Sequence, residues 1–189
     1  MQLKIDSISK EYLGRKVLNN LSFSLGKKEI VGLVGENGSG KTTLLKIMAG
    51  LEQPDSGLVE IGPGVDSGYL PQEHGKIDAD LNLLDYLISK TLDRTSVYRL
   101  AKRFLFNEVD FPTKVADLSS GQATKLLLAK LMAAGTNFLI LDEPTNHLDI
   151  PGREALEKAL ASYEGTLLVT SHDRYFLEKI ALTKIVRLH

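Results

Sequence analysis

The string Gly35-Glu36-Asn37-Gly38-Ser39-Gly40-Lys41-Thr42 constrains this chain's fold more than any other. An apolar, β-rich run from Glu29 to Val34 leads into it, and the helical pattern of Leu44, Leu45, Ile47 and Met48 leads out. Strand, glycine-rich loop and helix in this order is the context that a Walker A phosphate loop requires. The glycines let the backbone curl until its N–H groups point inward at a phosphate chain. The helix N-terminus, with Thr43 in its first turn, adds partial positive charge. Lys41 is then placed to reach the β- and γ-phosphates, and the Thr42 hydroxyl to ligate Mg²⁺.

A second run, Phe138-Leu139-Ile140-Leu141, has the composition of a buried strand, and Asp142 and Glu143 follow at its C-terminal end. Open α/β sheets place their chemistry at that end of the strands. On its own an Asp-Glu pair reads as a solvated strand terminus. After a phosphate loop it reads as a Walker B element, with Asp142 on the Mg²⁺ side and Glu143 beside the attacking water as general base or orienting group.

Further motifs follow in a fixed order: Gln72 in Tyr69-Leu70-Pro71-Gln72, Leu118-Ser119-Ser120-Gly121-Gln122, Asp149 in Asn146-His147-Leu148-Asp149, and His172 in Ser171-His172-Asp173. With the two Walker strings, the chain resembles the ATP-binding cassette family over nearly its whole length. The resemblance implies that Gln72 is the Q-loop glutamine, a ligand of Mg²⁺ and water. It makes Asp149 the D-loop aspartate and His172 the switch histidine, and places Tyr12 where an aromatic stacks on adenine. It implies that Ser119, Ser120, Gly121 and Gln122 form a signature pressing on a nucleotide held by a second cassette. The family usually has Gly where this chain has Ser120, which a negative φ would allow.

The strings EPTNHLD, Glu143 to Asp149, and SHDRYFL, Ser171 to Leu177, resemble the soluble ABC-F branch. The resemblance implies ATP and Mg²⁺ as ligands and an ATPase whose cassette closes head-to-tail with a second one. That second cassette is either another copy or a part of a longer chain, and the resemblance implies a role on the ribosome in translation or antibiotic resistance, reached through segments that this chain lacks. Two alternatives stay open: the ATP-binding subunit of a membrane transporter, and a nucleotide-gated binding module with negligible turnover. The intact Glu143 argues against the second of these. One cassette without charged linker helices is expected to be a domain of a longer protein or a half-size homologue.

At 189 residues the chain is expected to be one nucleotide-binding domain over residues 1–189. A chain of this size buries ~70% of its unfolded surface, so it needs no staples. Cysteine is absent, which fits a reducing compartment and an expected cytoplasmic location. Lys and Arg number 23 against 24 Asp and Glu, a balance that argues against a domain binding nucleic acid strongly by itself. No apolar run approaches a membrane span, so no direct membrane insertion is expected.

The expected fold is α/β: a P-loop NTPase core, a mostly parallel sheet flanked by helices, with an N-terminal antiparallel β subdomain and a helical subdomain. Leu3 to Ile8 alternates as a half-buried strand, Tyr12 to Arg15 reads as a turn, and Val17 to Leu25 alternates again. Leu58 to Ile61, Asp66 to Leu70, Thr166 to Thr170 and Lys184 to Leu188 read as further strands. Leu83, Leu84, Leu87 and Ile88, then Leu100, Phe104 and Leu105, have helical spacing and mark the helical subdomain over roughly 80–134. Ser119 is expected to cap the next helix, and Pro151 to begin another.

Overall fold

The structure is a computed structural model and describes residues 2–73, 80–88 and 94–188. His189 and part of the span assigned to the helical subdomain, residues 89–93, lie outside the described residues.

Two sheets share the framework. The first has strands β1 (Leu3–Tyr12), β2 (Arg15–Leu25) and, beyond β3 (Ile30–Val34) and helix α1 (Lys41–Met48), β4 (Ser56–Ile61). It is antiparallel in the order β2-β1-β4. The second sheet is parallel and takes β3 together with β5 (Ser67–Leu70), β6 (Phe138–Asp142), β7 (Thr166–Thr170) and β8 (Lys184–Arg187), in the order β5-β6-β7-β3-β8. Between β5 and β6 lie α2 (Leu83–Ile88), α3 (Arg94–Arg103), two short 3-10 turns and α4 (Ser120–Ala133), with α2 and α3 packed on α4. Helices α5 (Ile150–Ala161) and α6 (Arg174–Lys179) complete the chain.

The parallel strands read as unbroken apolar runs because both of their faces are covered. Leu139, Leu141, Leu167 and Val169 pack into one core with α4, α5 and α6. Phe138, Ile140 and Leu168 point the other way, into a core with α1 and the antiparallel sheet. Each fully buried Leu or Ile stabilises the fold by ~1.5–3 kcal/mol relative to exposure. Side chains alternate along a strand, so Asp142 continues the face of Phe138 and Ile140, and Thr170 that of Leu168. Both therefore end on the α1 side, where the glycine-rich loop lies.

The antiparallel strands depart from simple alternation. Leu3 and Ile5 are buried, and then Ile8; Leu18 is buried, and then Leu25, with Leu21 and Phe23 half-buried on that face. The buried parity changes at Ser7 and Asn20, both left-handed, with φ of 55° and 50°. The β1–β2 register shifts between Ile5 and Ile8 and again before Lys10. An extra residue at a bulge sends the following side chains to the opposite face. Tyr12, expected in a turn, is the last residue of β1 and pairs with Arg15. Leu105 is also corrected. α3 ends at Arg103, and Leu105 takes a φ of 63° and is 44% exposed, while Phe104 and Phe106 on either side are buried.

Candidate functional site

The glycine-rich loop connects β3 to α1. Its turn is closed by the Ser39 N–H donating to the Glu36 carbonyl at 3.2 Å. Gly40 is the N-cap of α1 with φ 90°, and a Cβ there would come within 2.9 Å of the Val17 carbonyl oxygen. Only glycine fits both demands. Gly40 also offers no capping side chain, which leaves the first-turn N–H groups of α1 to an anion. The Lys41 ammonium donates to the carbonyls of Gly35 at 2.8 Å and Glu36 at 2.9 Å.

A cavity of about 530 Å³ opens over the loop. Tyr12, Val17, Asn37, Gly38, Gly40, Lys41, Thr42 and Thr43 line it. Gln72, Asp142, Glu143, Asn146 and His172 line it as well. Residues from five separate stretches of sequence thus meet around one space. Gly35 lines a neighbouring cavity with Lys41 and His172, and Glu36 and Ser39 line a depression of about 430 Å³ beside Arg15 and Lys16. At the cavity's outer end the Tyr12 hydroxyl is hydrogen-bonded to the Glu52 carboxylate, and the Lys10 ammonium lies 5.5 Å from the centre of the Tyr12 ring.

The carboxylates sit deep. Asp142 is 1% exposed and Glu143 7%. Burial raises the Glu143 carboxyl above the ordinary carboxylate range; the charge of Asp142 adds to this, and His172 and Lys41 oppose it. The His172 N–H donates to Glu143 Oε2 at 3.3 Å, and the imidazole Nε2 lies 3.3 Å from Oε1. That second contact is close but not aligned as a hydrogen bond, so Oε1 is buried without a hydrogen-bond partner among the described residues. Glu143 has a φ of 49°, immediately after the last residue of β6. Hard oxygen donors from Thr42, Gln72 and Asp142 suit Mg²⁺, which takes few protein ligands and completes its shell from phosphate and water. No group of three or more His, Cys, Asp or Glu that could hold a metal occurs among the described residues.

Ser119, Ser120, Gly121, Gln122 and Asp149 do not line this cavity. Ser119 is the N-cap of α4: its Oγ accepts the Gln122 N–H at 3.2 Å, while Gln122 Oε1 accepts the Ser119 N–H at 2.9 Å. This is a reciprocal capping box. A hydroxyl that accepts still has its own proton to donate. Ser120 opens the helix and is not among the left-handed residues, as a side chain there requires. Gly121 lies against the turn before α5, where a Cβ would meet the His147 carbonyl oxygen at 2.5 Å. Asp149 caps α5 by accepting the Gly152 N–H at 2.9 Å.

The sequence motifs assign no role to three residues beside the cavity, although Asn146 lies within the EPTNHLD string. Asn146 and Val17 line it. Thr170 lies beneath it, and its hydroxyl donates to Asp142 Oδ1 at 2.7 Å. Nothing in the local pattern separates Thr170 from Thr166, the hydroxyl residue at the other end of the same buried strand.

Comparison with known proteins agrees with this architecture. A family model described as ABC transporter matches residues 18–146. The putative ATP-binding protein YdiF of Bacillus subtilis (strain 168) is 44% identical over 174 residues, covering 91% of this chain and 27% of that protein. The energy-dependent translational throttle protein EttA of Escherichia coli (strain K12) is 40% identical over 186 residues, covering 95% of this chain and 33% of EttA. The chain thus spans a third or less of the length of these relatives. A solved ATP-binding cassette, a dimer in a post-hydrolysis state bound to ADP and Pi, superposes with a TM-score of 0.83 at 22% identity, covering 99% of this chain and 94% of that one.

Proposed function

The chain belongs to the ABC transporter family, and from that premise we propose that it is a cassette that binds ATP and hydrolyses its terminal phosphoanhydride when closed head-to-tail on a second cassette. One observation carries the reading. Lys41, Thr42, Asp142, Glu143 and His172 converge on one cavity, while the capped tip of α4 lies outside it. Half of a reaction centre is assembled within the chain, and the other half is presented elsewhere on its surface.

In this reading Tyr12 stacks on the base, and the loop N–H groups and Lys41 hold the phosphates. Thr42, Gln72 and Asp142 hold Mg²⁺, which when bound supplies positive charge to the β- and γ-phosphate oxygens. The short reach of Glu143 at the strand end directs its carboxylate to the water that attacks in line. Its raised pKa brings it nearer to the pH at which a general base works well. His172, which follows the neighbouring strand β7 and touches Glu143, donates to the γ-phosphate. The Ser119 hydroxyl and Gly121 N–H of the second cassette donate to the same phosphate, so the cage is complete only in the closed pair. Closure follows because the nucleotide binds the pair better than the separated halves, and loss of the bridging phosphate lets it reopen.

The strings EPTNHLD and SHDRYFL support the ABC-F branch, as does similarity to a protein named a translational throttle. We therefore assign the chain a cytoplasmic role on the ribosome, as the cassette of a translation or resistance factor. No helix among the described residues is long and apolar enough to cross a membrane. The test is phosphate release measured across a dilution series, together with sedimentation of ribosomes in the presence of ATP. Turnover per molecule is expected to fall on dilution, and the chain to pellet with ribosomes. Turnover independent of concentration in a monomer would refute the paired site. Co-purification with an integral-membrane partner in place of ribosomes would reassign the branch to transport.

A further inference from the structure

Thr170 is fully buried at the C-terminal end of β7, directly opposite Asp142 in the parallel ladder. Its neighbours in the strand, Leu167, Leu168 and Val169, are apolar, and packing alone would be met as well by valine. The hydroxyl makes two contacts instead. Oγ donates to Asp142 Oδ1 at 2.7 Å and accepts the Glu143 N–H at 2.9 Å. The Thr170 carbonyl lies 3.2 Å from the same N–H, so two oxygens of one residue hold that amide. Glu143 has a left-handed backbone, a conformation that a residue with a Cβ keeps only where its surroundings hold it.

The two Asp142 oxygens are thereby made unequal. Oδ1 is committed to Thr170, while among the described residues Oδ2 has only a long contact with the Tyr69 hydroxyl, 3.5 Å. One hydroxyl proton fixes which carboxylate oxygen faces the cavity, and one lone pair fixes the bend that aims the next carboxylate. We propose that Thr170 is a positioning residue for both members of the Asp142–Glu143 pair, presenting Asp142 Oδ2 to Mg²⁺ and the Glu143 carboxylate to the attacking water. The inference rests on the ATPase reading given above.

Thr170→Val keeps the shape and removes both hydrogen bonds; Thr170→Ser keeps the hydroxyl and removes only the methyl. A fluorescent ATP analogue is titrated without metal and then against Mg²⁺, and phosphate release is followed separately. Partners that orient a metal ligand are worth 10–100-fold in metal affinity or activity. Thr170→Val is therefore expected to need ~10-fold more Mg²⁺ for half-maximal binding. Metal-free binding should stay within about twofold and turnover fall ~10–100-fold at nearly unchanged KM. Thr170→Ser is expected to recover most of both. A Mg²⁺ requirement and turnover equal to wild type in Thr170→Val would overturn the proposal. So would a Thr170→Ser defect as deep as that of Thr170→Val, which would make the methyl group the important part. Should Thr170→Val fail to fold by circular dichroism, Thr170→Ala is measured against Thr170→Ser with the same expectations. Wild-type protein that binds no nucleotide would refute the ATPase reading itself, and that result is seen before any variant is made.

Discussion

The strand end that carries Asp142 and Glu143 and the helix tip that carries Ser119 and Gly121 are built by opposite means. At the strand end the polar groups are buried and held by neighbours from distant parts of the chain: Thr170 on Asp142, His172 on Glu143. At the helix tip Ser119 and Ser120 are exposed, and the cap is closed locally by Gln122, three residues on. The strand end acquires its geometry from the folding of the whole parallel sheet. The helix tip acquires its geometry from one turn of helix, and it is finished before anything binds. In the proposed function the first serves chemistry within the chain and the second serves contact with a second cassette. Disturbing the first should alter rate and affinity at little cost to assembly. Disturbing the second should alter stability and pairing.

The largest effect expected is that of Glu143→Gln on turnover. A positioned general base contributes ~10²–10⁴-fold, and that factor should be lost. ATP binding should survive, because the glycine-rich loop and Lys41 are untouched. Charge removal beside the phosphates should also stabilise the closed pair, visible as an earlier peak on size-exclusion with ATP. A peak that stays monomeric at every ATP concentration would break the assignment of the helix tip to a partner's nucleotide.

Lys41→Ala should act in the opposite sense and lose nucleotide affinity. Hydrogen bonds to charged groups are worth ~1.5–3 kcal/mol, so equilibrium titration should show ~10–100-fold weaker binding. The pair of variants separates binding from chemistry within the one cavity. Equal loss of affinity in both would mean that Glu143 lies on the binding path and not beside the water.

Much of this arrangement is legible in the residue string, for a physical reason. The loop, the strand-end carboxylates and the α4 cap are local features whose demands fall on neighbouring residues: glycines at the curl, Ser119 and Gln122 three apart. The buried parallel strands are equally plain, since both faces are covered and every residue from Phe138 to Leu141 is apolar. The antiparallel strands are less plain, because the bulges at Ser7 and Asn20 switch the buried parity without a glycine to mark them. Leu105 misleads for a related reason: a left-handed residue ends the helical phase that Leu100 and Phe104 set up. Thr170 was beyond reach from local pattern. Its partners lie 27 and 28 residues away in sequence, and only the β6–β7 register brings them together.

On the helix tip, Gly121→Ala should cost stability before it costs chemistry. The added methyl would meet the His147 carbonyl oxygen at 2.5 Å, with backbone on both sides of the contact. Overpacking of this kind costs ~1–3 kcal/mol. At ~2–4 °C per kcal/mol for a chain of this size, the melting temperature should drop by several degrees. A variant that melts as wild type does would show that α4 and the turn before α5 separate easily, and that the tip is less rigid than its capping box suggests.

The smallest effect is one of pH on the protein without nucleotide, and it probes the strand end alone. Burial raises the Glu143 carboxyl above its ordinary range, so the folded chain holds that proton more tightly than the unfolded chain does. Stability from this group is then fully present below the unfolded pKa, ~4.3, and is lost as pH rises through the folded value. Glutamine cannot ionise and suffers no such loss. Glu143→Gln should therefore melt a few degrees above wild type at pH 8, ~3 °C for each kcal/mol relieved. The gap should narrow as pH falls through the folded pKa and close near pH ~4, where wild-type Glu143 is neutral in both states. Melting curves of the two proteins across that range decide it. A gap that widens toward acid would mean that the charged form is the favoured one in the fold, through His172 and Lys41, and that attraction to those cations outweighs the burial of the carboxylate.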